Sequence, residues 1–276
     1  MTYQFNEGFR SVRLLTHSPC ILCCESIRLN IELTRMVKML NVDQLYDFYN
    51  EYETSLKSKN RFFVENTYHD YFDRIIEEST MSIKIGNEFF RARKHEMNNR
   101  VIEPYSKKEI GMPDSSITTS HGRANPRGIN YFYLASDKET SLAEVKPSIR
   151  QQITIGKFVN TQSVKIIYID GSSGVGGSVY KKLDSLDVSR FMLYLVIGFS
   201  KPISDSDKEL DYLPYQYFAE YCKQKGLEGI AFPSSVMINT DEKHLCYTMF
   251  SDTKFKYIDS GLVLTTSIKY GYEETK

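Results

Sequence analysis

Arg123 and Arg127 lie on either side of Pro126 in the run Gly122-Arg123-Ala124-Asn125-Pro126-Arg127-Gly128. Gly122, Pro126, Gly128 and Asn130 are turn formers, so the segment reads as a bent loop from which both guanidinium groups project. A guanidinium is a planar fork of donors matched to phosphate oxygens. The loop runs directly into Tyr131-Phe132-Tyr133-Leu134-Ala135, which reads as a strand. Alternation sets Tyr131 and Tyr133 on one face and Phe132 on the other. A tyrosine on such a face can stack on a flat ring and still offer a hydroxyl. Ser136 and Glu139 then have the spacing of a capping box, which predicts a short helix from Asp137 to Lys146 that Pro147 ends. Glu144 lies two turns into it, beside the apolar pair Leu142 and Val145. A carboxylate placed there can stabilise a positive charge growing at a sugar carbon, or hold a ribose hydroxyl. Arginines, ring partner and carboxylate together suit an enzyme acting on a dinucleotide.

Each feature alone has a plainer explanation: surface arginines on a solvated loop, aromatic residues in a core, an exposed helix glutamate. Their close succession is what carries the chemical reading. Further on, Gly229-Ile230-Ala231-Phe232-Pro233-Ser234-Ser235 reads as an apolar strand whose terminal serines can reach a ligand. No Ser-His-Asp arrangement accompanies them, and His95, His121 and His244 have no spacing that suggests a triad. The glycine-rich run Gly171 to Ser178 lacks both the phosphate-loop ending and the dinucleotide fingerprint, and reads as a flexible connection.

Composition bounds the remaining classes. The 276 residues carry a formal net charge of zero, which argues against a nucleic-acid partner. Hydrophobic residues make up 41%, enough for a packed core. With 20 Tyr, 16 Phe and no Trp, aromatic packing falls to tyrosine and phenylalanine. Five cysteines are an odd number and do not suggest a secreted disulfide framework. Cys20 and Cys23 have the spacing of half a zinc site, with Cys24 adjacent and His17 the one further ligand nearby. A closed site needs four ligands, so no metal is expected. The first residues lack the layout of a signal peptide. The apolar run Phe191 to Phe199 is far shorter than the about 20 residues of a membrane helix. A soluble, cytoplasmic protein is expected, without membrane contact; homo-oligomerisation stays open.

Helical periodicity dominates from about residue 25 to 80. Ile27, Ile31 and Val37 mark one helix; Leu45, Phe48, Tyr49, Tyr52 and Leu56 a second; Tyr68, Tyr71, Phe72, Ile75 and Ile76 a third. Short strand-like runs follow at 88–93, 131–135, 152–159, 164–170, 229–232, 244–250 and 262–268, with helices at 137–146, 179–186 and 213–225. Gly226 sits where the last helix needs its cap. Strands and helices do not alternate strictly, so an α+β class is expected rather than a doubly wound sheet. The expected division is a small helical domain over 1–84 and a mixed domain over 85–276.

These motifs resemble, in order, those of the RES domain family, over roughly residues 85 to 260. Phe90-Arg91-Ala92-Arg93 looks like its opening strand, and the arginine loop with its aromatic strand like its centre. Ser141-Leu142-Ala143-Glu144-Val145-Lys146-Pro147 looks like its glutamate helix. Tyr217-Phe218-Ala219-Glu220-Tyr221 with the serine strand looks like its close. The resemblance implies an ADP-ribosyltransferase-like mixed β core with flanking helices, here preceded by a helical segment. It implies cleavage of the nicotinamide–ribose bond of NAD, as glycohydrolase or phosphorylase, with NAD as substrate and no other cofactor. It implies a toxin or defence effector, often neutralised by a separate antitoxin protein. Carried over, Arg123 is the family arginine, Tyr133 the ring partner, Glu144 the glutamate and Ser234 the serine. Tyr131 and Ser235 are the alternatives beside them, and Arg91 and Arg127 are further substrate contacts. Two other classes remain: transfer of ADP-ribose to a protein, and an inactive module that binds a nucleotide or a partner.

Overall fold

The computed structural model describes residues 42–97, 103–114, 122–169, 186–200, 209–237 and 243–268. In chain order the elements are α1 (Val42–Thr54), α2 (Asn66–Ser79), β1 (Thr80–Ile83), β2 (Glu88–Lys94), α3 (Lys107–Ile110), β3 (Phe132–Ala135), α4 (Lys138–Glu144), β4 (Gln152–Asn160), β5 (Val164–Tyr168), α5 (Leu186–Ser200), α6 (Leu213–Gln224), β6 (Gly229–Pro233), β7 (Leu245–Met249) and β8 (Phe255–Leu264). The first expected helix, the Cys20–Cys23–Cys24 and His17 group, His121, the run Gly171 to Ser178 and nearly all of 179–186 lie outside the described residues.

One eight-stranded sheet has the order β1-β5-β6-β7-β3-β2-β4-β8. Its pairs are antiparallel except β5 with β6. That parallel pair needs a crossover, and α5 and α6 lie in the connecting chain. The class is α+β, as expected.

The helices α1, α2, α5 and α6 cover one face of the sheet through an aromatic cluster. Tyr52 meets Phe191 at 5.0 Å, and Phe72 meets Phe218 at 5.1 Å and Phe191 at 5.4 Å, ring centre to ring centre. Tilted and edge-on contacts of this kind suit the ring quadrupole better than face-to-face ones. The same cluster takes in Ile167 of β5 and Ile230 of β6. Thus α1 and α2, expected within a unit over 1–84, bury their apolar faces in the core that the sheet also uses. Phe89, Ile110, Phe132 and Phe158 fill the opposite face. A smaller cluster of Phe90, Ile153 and Ile155 receives Leu142 and Val145, and so seats α4 on β2 and β4.

Four elements differ from expectation, the first being the one-turn α3, which starts on a capping box of Ser106 and Glu109. β1 is a short edge strand whose middle residues, Met81 and Ser82, are exposed, so no apolar alternation announces it. α5 carries a continuous apolar run, Phe191 to Phe199, of which all but the exposed Ile197 is buried or half-buried, and this run hides its helical period. The last strand is Phe255–Leu264 rather than 262–268. It contains Lys256, Asp259, Ser260 and Gly261, polar and small residues of the kind that blunt an outer edge against aggregation. Gly226 stands as expected just past α6 with φ +81°. No helix among the described residues is long and apolar enough to cross a membrane.

Phe72 is fully buried where α2 meets α5 and α6. Phe72→Ala should cost about 3–5 kcal/mol in urea denaturation. Far-UV dichroism and tyrosine fluorescence should report one shared transition; two separate ones would mean that α1 and α2 fold apart from the sheet.

Candidate functional site

β2 is paired with β4 along its whole length, from Glu88 to Lys94, but with β3 only at Phe90↔Ala135. Past that pair the strands part, and a cavity of about 340 Å³ is lined from both. Arg91 comes to it from β2, Arg123 from the turn-rich loop, Tyr133 from β3 and Glu144 from the end of α4. Phe199 of α5 and Cys246 of β7 complete much of the wall.

Arg91 occupies the parting itself. Its Nη1 donates to the Tyr133 carbonyl at 3.2 Å, and its Cζ lies 5.6 Å from the centre of the Phe132 ring. Burial, and then the neighbouring Arg93, lower its guanidinium to about 10, which still leaves it charged at neutral pH. It forms no ion pair with a carboxylate among the described residues.

The arginine loop is held by buried polar side chains. Gln216 of α6 donates to the carbonyls of Gly122 at 2.9 Å and Asn125 at 3.2 Å. Asn125 donates to the Ile129 carbonyl at 2.9 Å and accepts the Tyr133 hydroxyl at 2.6 Å. Arg123 donates to the Phe199 carbonyl in the last turn of α5, where a cation suits the negative helix end. Burial pushes the Tyr133 phenol up to about 12, so it remains a donor. A methyl group on Gly122 would lie 2.4 Å from Asn125 Oδ1 and 2.5 Å from the Tyr133 hydroxyl, so glycine is required there by space alone.

Glu144 is delivered by α4, whose cap is Asp137 and not Ser136 as the spacing predicts. Asp137 accepts the Thr140 amide at 2.7 Å, the Thr140 hydroxyl at 2.7 Å and the Ser136 hydroxyl at 2.7 Å. Ser136 Oγ also accepts the Leu245 amide at 3.0 Å, so the serine ties the helix start to β7 instead of capping it. Burial alone would raise the Asp137 carboxyl, but the Thr140 and Ser136 donors and His244 hold it down at about 2. The helix ends at Glu144, and Lys146 turns the chain at φ 45° before Pro147. Glu144 Oε1 accepts the Ser234 hydroxyl at 2.7 Å and the Cys246 thiol at 3.1 Å. Ser234, just past β6, is 8% exposed.

Arg91, Arg123, Tyr133, Glu144 and Ser234 are therefore brought together, and three other candidates are not. Tyr131 precedes β3, is 2% exposed, donates its hydroxyl to Glu220 and packs on Phe250. Arg127 pairs with Glu209 at the surface, with its side chain 64% exposed. Ser235 is half-buried and does not line the cavity. Asn125, Gln216 and Cys246 belong to the site and were not anticipated. A buried amide on an amphipathic helix and a thiol in an apolar strand look like ordinary core residues from sequence. No group of three or more His, Cys, Asp or Glu stands at metal-binding spacing among the described residues.

Gly122→Ala should displace the Tyr133 ring from the cavity while the fold is kept, visible as loss of ligand binding with a circular dichroism spectrum like that of the wild type. Asp137→Ala should lower stability at neutral pH by about 1 kcal/mol. A depressed carboxyl contributes above its unfolded value, near 4, and loses that contribution as pH falls through about 2. The gap between Asp137→Ala and wild type in urea midpoint should therefore close between about pH 4 and 2.

A family model described as the RES domain matches residues 99–260. No curated protein matches the chain. Among solved structures, the chain is similar to one in the crystal structure of the M. tuberculosis MbcT–MbcA toxin–antitoxin complex, at 11% identity and a TM-score of 0.40, over 70% of this chain and 91% of that one. Because the model spans more than half of its residues, the chain belongs to the RES domain family.

Proposed function

We propose that this protein degrades NAD by breaking the bond between nicotinamide and its ribose, and that it serves as a toxin or defence effector. The observation that carries the proposal is one cavity lined by two arginines, a tyrosine and a glutamate whose carboxylate has one oxygen already hydrogen-bonded. Arg91 supports it further: a partly buried cation with no carboxylate partner among the described residues favours an anion beside it. In this reading Arg91 and Arg123 hold the pyrophosphate, and Tyr133 packs on the nicotinamide ring. Glu144 stabilises the charge that grows at the ribose carbon as the ring departs. The C–N bond breaks with its electron pair going to the ring nitrogen, which is cationic in NAD and neutral in free nicotinamide. No general acid is needed. Water or phosphate then bonds to the sugar carbon, and water releases a proton. NAD is thus a substrate. A cell that makes such an enzyme needs a restraint on it, which gives a separate antitoxin protein as the expected partner.

Nicotinamide release from NAD by the purified protein, with and without phosphate, tests the proposal. Glu144→Gln and Arg123→Ala should each lower kcat/KM by about a hundredfold or more, about 3 kcal/mol in the transition state, with the fold unchanged. Wild-type rates in both variants would refute these roles. With NAD labelled in its ADP-ribose part, free ADP-ribose supports hydrolysis, and label on a macromolecule points to transfer.

A further inference from the structure

The Glu144 carboxylate receives two donors on the same oxygen. Ser234 comes from the end of β6 and Cys246 from β7, at 2.7 Å and 3.1 Å from Oε1. They approach from neighbouring strands of the sheet, while Glu144 sits on a helix packed against other strands. Two donors converging on one oxygen fix the rotation of the carboxylate, which a single donor leaves free to swing. We propose that Cys246 is a positioning residue of the candidate site: with Ser234 it pins Oε1 and leaves Oε2 as the oxygen that meets the sugar carbon. The proposal rests on the NAD-cleaving reading above, in which Glu144 faces that carbon.

The surroundings of the thiol fit the task. Cys246 is buried and lines the same cavity as Glu144. Burial, then the Glu144 charge and the hydrogen bond to it, push the thiol well above its ordinary range, against smaller opposing effects of Ser234 and Arg123. The group therefore stays a neutral S–H donor at neutral pH and adds no second negative charge beside the carboxylate. Cys222, the other cysteine among the described residues, lies in the helix-side core and does not line the cavity.

The test uses the full chain with Cys246→Ala and Cys246→Ser, and NAD as substrate. Cys246→Ala should lower kcat about tenfold and leave KM within about twofold, because the carboxylate is misaligned and not lost. Cys246→Ser should recover most of that loss, since its hydroxyl can donate to the same oxygen. Wild-type kcat in Cys246→Ala overturns the proposal, as does a Cys246→Ser no faster than Cys246→Ala when both melt like the wild type. A second arm does not depend on turnover. N-ethylmaleimide labelling of Cys246, followed by peptide mass spectrometry, is compared at one pH in wild type and Glu144→Gln. Removing the neighbouring charge should speed labelling of Cys246 about fivefold and leave Cys222 unchanged. Equal Cys246 rates in the two proteins overturn the proposal. If the wild type releases no nicotinamide, the NAD-cleaving reading fails, and the labelling arm alone decides whether thiol and carboxylate act as a pair.

Discussion

The site depends on a sheet that stops pairing in its middle. β2 and β3 share the single pair Phe90↔Ala135, and the cavity opens where their ladder ends. A backbone acceptor left in such a gap must find another donor, and Arg91 supplies it at the Tyr133 carbonyl. The same guanidinium thereby becomes fixed at the cavity wall. An interruption that would weaken a plain sheet is offset here by pairing of β2 with β4 along its whole length, and of β4 with β8, whose ladder shifts register once between Lys157 and Phe158, on the outer side. On the inner side β3 is paired along its whole length with β7. The gap is thus framed by two paired sections, and residues of both line one space.

The helical layer frames the arginine loop in turn. Tyr52 of α1 donates to the Pro214 carbonyl at 2.8 Å, and the Tyr49 hydroxyl bonds that of Tyr215 at 2.8 Å. The next residue, Gln216, holds the loop carbonyls of Gly122 and Asn125. Arg123 is anchored at the end of α5, which Tyr49 also touches through a stacked contact with Tyr194 at 4.4 Å. The family model begins at residue 99, yet Arg91 precedes it and α1 braces the helices that hold Arg123. The physical unit around the cavity is larger than the matched segment.

Much of this was legible from sequence because its parts are local. Loop, strand and glutamate helix follow one another within about two dozen residues, and each has a turn or periodicity signal of its own. Alternation placed Tyr131 and Tyr133 on one face, and both do pack toward the helices. It did not separate them, because what differs is the neighbouring element: Glu220 for Tyr131, the parting of β2 and β3 for Tyr133. Cys246 and Gln216 were hidden for a related reason. They reach the site from far along the chain, and nothing in an apolar strand or an amphipathic helix marks that a buried thiol faces a cavity or that a buried amide braces the loop beside it. The capping box failed more narrowly. Ser136 has a second claim on it from the Leu245 amide, and Asp137, one position on, offers two acceptor oxygens for the same helix end.

The disposition of charge around the cavity argues for a ligand with unlike ends. Arg91 and Arg123 bring positive charge from the strand gap and the loop, while Glu144 brings negative charge from the helix. Tyr133 and Cys246 line the same cavity, with hydroxyl and thiol held protonated by burial. Had the thiol been free to ionise beside Glu144, it would have offset much of the positive charge and weakened the attraction for a phosphate. Keeping it neutral preserves both fields at once, over a distance where a partly dry cavity screens charge less than water does. A ligand that is anionic at one end and becomes cationic at the other during reaction meets opposite charge at each. A simple anion satisfies only the arginines and is repelled by the carboxylate, and a simple cation meets the reverse. The proposed substrate fits because its pyrophosphate and its ribose carbon present these two demands on one molecule.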